Sequence, residues 1–255
     1  MDDSLSTPKR SWSIPQVLGD AWHLVRGNKW PIWAVALVVL IVPMIIQLLA
    51  LQPLFRLAPS LLIIYQFLLL PLIKYIVVAP FFGGAVMTAI LCARHEAVQA
   101  STGYRYLNKS WALIVTLFII ALLSNVLSCI VHLPWVMTLH FNTAWLGIPV
   151  ALIELLVYVF LFISVPLVID KNKTPWNGLV TSCRIMQHYW FKTFIILILI
   201  VFILFTIAMI PLSIGMMMHS PYIKLLGAAI TIIALIWLVP FSFLVQGMLY
   251  HKIVD

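Results

Sequence analysis

Six times along the chain, apolar residues run on for long stretches without the polar positions that recur on a helix lying half in water. The runs cover 31–51, 72–93, 111–131, 145–169, 194–214 and 225–250. About 20 residues, at a 1.5 Å rise, cross a hydrocarbon core with every backbone group paired inside the helix. The pattern therefore predicts an all-α integral membrane protein with six transmembrane helices in a single polytopic domain, 1–255. The second run begins as early as Leu61 and contains Pro71, Pro80 and the Gly83–Gly84 pair, too long for one perpendicular helix. Counting back from Arg94 places the crossing at 72–93. Residues 61–70 then form an interfacial or re-entrant helix, or the upper part of one tilted, proline-kinked span.

Polar positions gather between the runs in a pattern that repeats three times. Ser13–Trp30, Ser101–Trp111 and Thr174–Trp190 each carry aromatic and basic residues and lead straight into an apolar run. In the first, Val17, Leu18, Trp22 and Val25 recur at helical spacing while Asp20, His23 and Arg26 fall elsewhere, as in a helix lying in the membrane interface. Ser13 and Thr174, each followed closely by proline, fit the N-cap position, and Trp30, Trp111 and Trp190 fit headgroup depth. The inner exits of the hairpins match as well. Pro80-Phe-Phe-Gly-Gly and Pro240-Phe-Ser-Phe stand at equivalent depth, and Ser164-Val-Pro166 interrupts span four near its end. The chain reads as three helical hairpins, each preceded by a cytoplasmic amphipathic helix, with helix breaks at Pro80, Pro166 and Pro240.

Charge orients the hairpins. The first 30 residues are polar and show no signal-peptide pattern, so they are expected to stay inside. The inner segments then hold Lys9, Arg10, Arg26, Lys29, Arg94, Arg105, Lys109, Lys171, Lys173, Arg184, Lys192 and Lys252, whereas the outer ones hold Arg56 and Lys224. By the positive-inside rule both termini are cytoplasmic. Composition agrees with a lipid solvent: 64% of residues are hydrophobic and 9% charged, against roughly 45–50% and about 25% in soluble domains. Disorder, a disulfide scaffold and a water-filled catalytic domain are excluded on the same numbers. The net charge of +8 is a membrane-surface charge, and Arg26, Lys29, Arg105, Lys109, Lys173, Arg184 and Lys192 form a lipid-facing basic surface for anionic headgroups. Nucleic acid is not an expected partner, since the basic residues are scattered without an arginine-rich run. A protein partner or homo-oligomer remains open.

Few residues suggest chemistry. Lys74 and Glu154 are the charges well inside spans, where a charge faces protein or water or reaches the surface. They fit an intramembrane charge pair between spans two and four; a snorkelling Lys74 is the plainer alternative. His132, His140, Met216, Met218 and His219 offer imidazole and thioether to a soft metal on the outer side, but match no ligand spacing. His23, His95, His188 and His251, with Cys92 and Cys183, crowd the inner helix ends, also without such spacing. Ser124, Asn125 and Ser128 suit a helix contact. No nucleophile stands with a base and no glycine loop cradles phosphate, so no cofactor and no enzymatic activity are expected.

The stretch Ser164-Val-Pro-Leu-Val-Ile-Asp-Lys171 with Thr174-Pro-Trp-Asn-Gly-Leu-Val-Thr-Ser-Cys-Arg184 resembles the central signature of a group of bacterial six-helix membrane families. So do the helix before Gly27-Asn-Lys-Trp30 and the segment from Pro80-Phe-Phe-Gly-Gly-Ala into Ala93-Arg-His-Glu96. The group includes the YciC-like uncharacterised inner-membrane proteins and the membrane domain attached to some glycerophosphodiester phosphodiesterases. The resemblance implies a multi-pass protein of the cell inner membrane whose molecular role is undefined. The expectation is a protein without catalysis, in envelope maintenance or as the scaffold or partner of another membrane or lipid-related protein. A transporter of a small solute or lipid, with a pathway near Lys74 and Glu154, is the competing expectation.

Overall fold

The computed structural model describes residues 12–54, 69–138, 147–217 and 221–255. All regular structure among them is helical, and six helices are long and apolar enough to cross a membrane. The elements are α1 (Ile14–Leu54), α2 (Leu70–Ala93), a 3-10 helix (Thr102–Lys109), α3 (Ser110–Thr138), α4 (Gly147–Leu161), α5 (Ser164–Asp170), α6 (Pro175–Met186), α7 (Trp190–Met217) and α8 (Pro221–Val254). The chain is thus an all-α, multi-pass membrane protein. Of the segment 61–70, only the last two residues are described, so its placement lies outside them.

The three polar lead-in segments share a place but not a form. The first is no separate interfacial helix: it runs unbroken into the span as α1, with Val17, Ala21 and Val25 fully buried. The reason is packing. Trp22 stands edge-on to Phe241 and beside Trp237, and Lys252 reaches Asp20 at 2.8 Å, so this half of α1 lies along α8. The second segment is the 3-10 helix, which buries Thr102 and Gly103 against α2. Only the third is a separate α-helix, α6, capped at Thr174, whose side chain accepts from the Asn177 amide, with proline in its first turn. Trp30, Trp111 and Trp190 are exposed.

Two of the three expected helix breaks are absent. Pro80 and Pro240 lie inside continuous helices; only the Pro166 region interrupts one, between α4 and α5. Proline removes the N–H that would bond the carbonyl four residues back. For Pro240 that carbonyl is Ile236, and the Trp33 indole donates to it at 2.9 Å, so α8 continues. In lipid a helix tolerates proline where a neighbour restores the freed group.

The core sits towards one end of the bundle. There α2 and α8 run so close that a Cβ at Gly247 would lie 2.5 Å from the Ala89 backbone, and Gly84 meets the Gly103 carbonyl directly. Phe82 and Phe243, from the two proline-phenylalanine motifs, meet with ring centroids 5.7 Å apart.

Candidate functional site: where three helices end together

Three helices run towards the packed end and finish side by side: α2 at Arg94, α5 at Asp170 and α8 at Asp255. Arg94 is the residue after α2, and the next residue, His95, takes a left-handed φ of 60°. Its amide donates to the Cys92 carbonyl at 3.0 Å and that of Glu96 to the Leu91 carbonyl at 2.9 Å, the pair of hydrogen bonds that closes a helix C-terminus. Asn172, beyond α5, repeats the left-handed turn with φ 52°. Both turns aim the preceding charged residue back at the bundle.

Arg94 joins all three ends. Its Nη1 and Nη2 donate to Asp170 Oδ1 and Oδ2 at 2.8 and 2.9 Å, a bidentate pair. Its Nε and Nη2 donate to the two carboxylate oxygens of Asp255 at 2.8 and 3.0 Å. Tyr250 donates its hydroxyl to Asp170 Oδ2 at 2.9 Å, while Lys171 Nζ lies 3.2 Å and His251 Nδ1 3.3 Å from Asp255. The hydrogen bonds that Arg94 donates to Asp170 hold the guanidinium charged, outweighing burial. Burial alone would raise the Asp255 carboxyl, but Arg94, His251 and Lys171 prevail and hold it below the ordinary carboxylate range.

A second set of polar groups repairs the gap between α4 and α5. Pro166 cannot donate to Phe162, and the buried Gln246 side chain of α8 does so at 2.9 Å. Ser182 of α6 donates to the Phe160 carbonyl at 2.7 Å and Ser164 to Leu161 at 2.6 Å. At the end of α5 the Ile169 carbonyl accepts from Lys109 Nζ at 2.6 Å. Open carbonyls in hydrocarbon are costly, so these donors decide whether the interruption is tolerated. Beside the charge cluster lies a cleft of about 650 Å³, whose walls include Trp12, Asp20, His23, His95, His251 and Asp255.

Several residues singled out in the sequence take other roles. Lys74 and Glu154 form no ion pair: Lys74 Nζ donates to Gln47 Oε1 of α1, and α4 packs on α3, α6 and α7 instead. Of the seven basic surface residues, Arg26, Arg105, Arg184 and Lys192 are exposed. Lys192 and the three remaining lysines also make contacts within the protein. Lys29 lies 4.0 Å from the Trp237 ring centre, Lys109 holds Ile169, Lys173 bonds Thr181 at 3.0 Å, and Lys192 bonds the Trp12 carbonyl at 2.9 Å. Their ammonium groups meet an aromatic face, a hydroxyl or a carbonyl of the bundle. His23, His95 and His251 share the cleft wall, yet no three histidines, cysteines or acids among the described residues stand close enough to hold a metal. His140, Met218 and His219 lie outside the described residues, as do the side chains of His132, Met216, Asn125 and Ser128.

The sequence reading missed Arg94, Asp170, Asp255, Gln246 and Gln47. A signal existed for the first three. The chain has only seven acids, and a scarce acid at a helix end beside basic residues is a partner before it is a surface charge. Compared with protein-family models, with curated proteins and with solved structures, the chain matches none.

Proposed function

We propose that the chain is a non-enzymatic protein of the bacterial inner membrane that serves as a scaffold or partner of another membrane or lipid-related protein in envelope maintenance, its basic end facing the cytoplasm. One observation carries this reading: the charged groups at the three helix ends and the donors beside them are committed to the bundle itself. Arg94, Asp170, Tyr250 and Asp255 hold three helix ends together, and Gln246, Ser182 and Trp33 close backbone carbonyls. Groups so engaged act as structure, since a catalytic group must be able to meet a substrate atom. Among the described residues, Arg26, Arg105 and Arg184 stand outward, where a partner or anionic headgroup can reach them. The resemblance of the Ser164–Arg184 region to the YciC-like proteins points the same way.

Transport is the second reading, favoured by the polar contact of Lys74 with Gln47 between α1 and α2. Single cysteines placed along spans two, four and six and labelled from each side in turn separate the two. A scaffold leaves mid-membrane positions unlabelled, whereas a continuous labelled path makes the protein a transporter. Reporter fusions at His140 and after Asp255 should read outside and inside; the reverse overturns the orientation.

A further inference from the structure

The apolar wall of the bundle holds a groove of about 460 Å³ between α1 and α8, lined by Trp30, Trp33, Ala34, Leu37, Ile232 and Ile236. Its shape follows from the proline repair. The Trp33 indole crosses from α1 to the Ile236 carbonyl that Pro240 leaves open and forms a fixed floor between the helices.

The mouth of the groove is cationic. Arg26, Trp30, Trp33 and Leu37 follow at i, i+4, i+7 and i+11 and so share one face of α1. Arg26 is exposed, and the Lys29 ammonium lies 4.0 Å from the Trp237 ring centre and 5.5 Å from that of Trp30. The acid of this part of α1, Asp20, is bound to Lys252. Two cations therefore stand within a turn of a mainly apolar channel, on a side of the bundle where Trp30 and Leu37 are exposed.

We infer that this groove binds one anionic diacyl phospholipid of the surrounding bilayer, its phosphate against Arg26 and Lys29 and one acyl chain along Trp33, Ala34 and Ile236. Charge complementarity selects the occupant. A zwitterionic lipid brings its own ammonium to the two cations, and an apolar transmembrane helix brings no anion to them. The inference rests on the membrane embedding of the chain and stands apart from the scaffold reading.

The test is titration of the full chain in mild detergent with phosphatidylglycerol or with phosphatidylcholine of the same acyl chains, bound lipid being counted by native mass spectrometry. Phosphatidylglycerol should bind about thirtyfold more tightly, the work of two surface cations. The double variant Arg26→Gln/Lys29→Gln should lose that preference and bind both lipids alike. Filling the groove by Ala34→Phe, or from the opposite helix by Ile232→Trp should one of them not fold, should weaken both lipids severalfold with the preference kept. Arg105→Gln/Arg184→Gln should bind as the unaltered chain does. Three results overturn the site: no preference in the unaltered chain, equal loss in the Arg105/Arg184 variant, or unchanged binding once the groove is filled. Cross-linking of an Ala34→Cys variant to another polypeptide in native membranes, with no lipid displaced by the filled groove, would assign the groove to a protein helix and also overturn it.

Discussion

The two halves of the bundle are built from the same aliphatic residues and packed in different ways. Along α1, Val17, Val25, Ile32 and Val35 are wholly buried, whereas Leu48 and Leu49 are 58% and 67% exposed. In α8, Leu244 and Leu249 are wholly buried, whereas Ile232 and Ile233 are 60% and 61% exposed. Hydropathy does not distinguish the halves. The difference lies in small residues and polar donors. The packed half has Gly83, Gly84, Gly103 and Gly247 at close approaches and places Gln246, Ser182, Trp33 and Arg94 on backbone or carboxylate oxygens. Lipid is as apolar as leucine, so helices gain little by burying aliphatic surface on one another; close backbone contact and internal polar bonds hold them instead. The splayed half, which lacks most of these devices among the described residues, presents its aliphatic side chains to lipid.

Substitutions should divide along the same line. The largest effect is expected at Gly247, where any Cβ meets the Ala89 backbone. Gly247→Val should prevent the α2–α8 contact and leave no monodisperse protein in detergent, as size-exclusion chromatography would show. Gln246→Leu keeps the volume but strands the Phe162 carbonyl, and a loss of about 1–2 kcal/mol in reversible unfolding is expected.

Acid should act on the packed half as well. A carboxyl held below its unfolded pKa contributes stability at every pH above the unfolded value and loses it as pH falls through the folded one. Asp255 is such a group, outside the spans. Thermal stability in detergent should therefore decline as pH drops below the ordinary carboxylate range, and Asp255→Asn should be less stable at neutral pH with a flatter acid limb.

The smallest effects belong to the splayed half. Leu48→Val should change stability by no more than about 0.5 kcal/mol, as at a surface site. Because Lys74 bonds Gln47 and not Glu154, Lys74→Met and Glu154→Gln should add within about 0.5 kcal/mol. A larger coupling would restore the pair.

What the sequence made legible follows from which forces leave a local trace. Six apolar runs give six spans because backbone pairing in lipid leaves a chain little choice. The cap at Thr174 and the interruption at Ser164-Val-Pro166 were readable because threonine and proline act on their own backbone. That Pro240 leaves α8 intact was not, since its remedy comes from Trp33, some 200 residues away in the chain. The pairing of Arg94 with Asp170 and Asp255 was hidden for the same reason: each end looks like an ordinary loop charge until three helices bring them together. Reading only charges within spans drew attention to Lys74 and Glu154, whereas the uncharged Gln246 makes the more consequential contact.

The claim that Arg94 ties three helix ends together is tested most directly by comparing its loss with the loss of the whole cluster. Arg94→Met leaves two partly buried carboxylates with only the half-exposed Lys171 ammonium to bridge them, which should cost about 3 kcal/mol in reversible unfolding at neutral pH. Adding Asp170→Asn and Asp255→Asn removes that stranded charge, so the triple variant should recover a substantial part of the stability. If the three losses simply add, and the triple variant is the least stable of all, Arg94 does not hold these ends together.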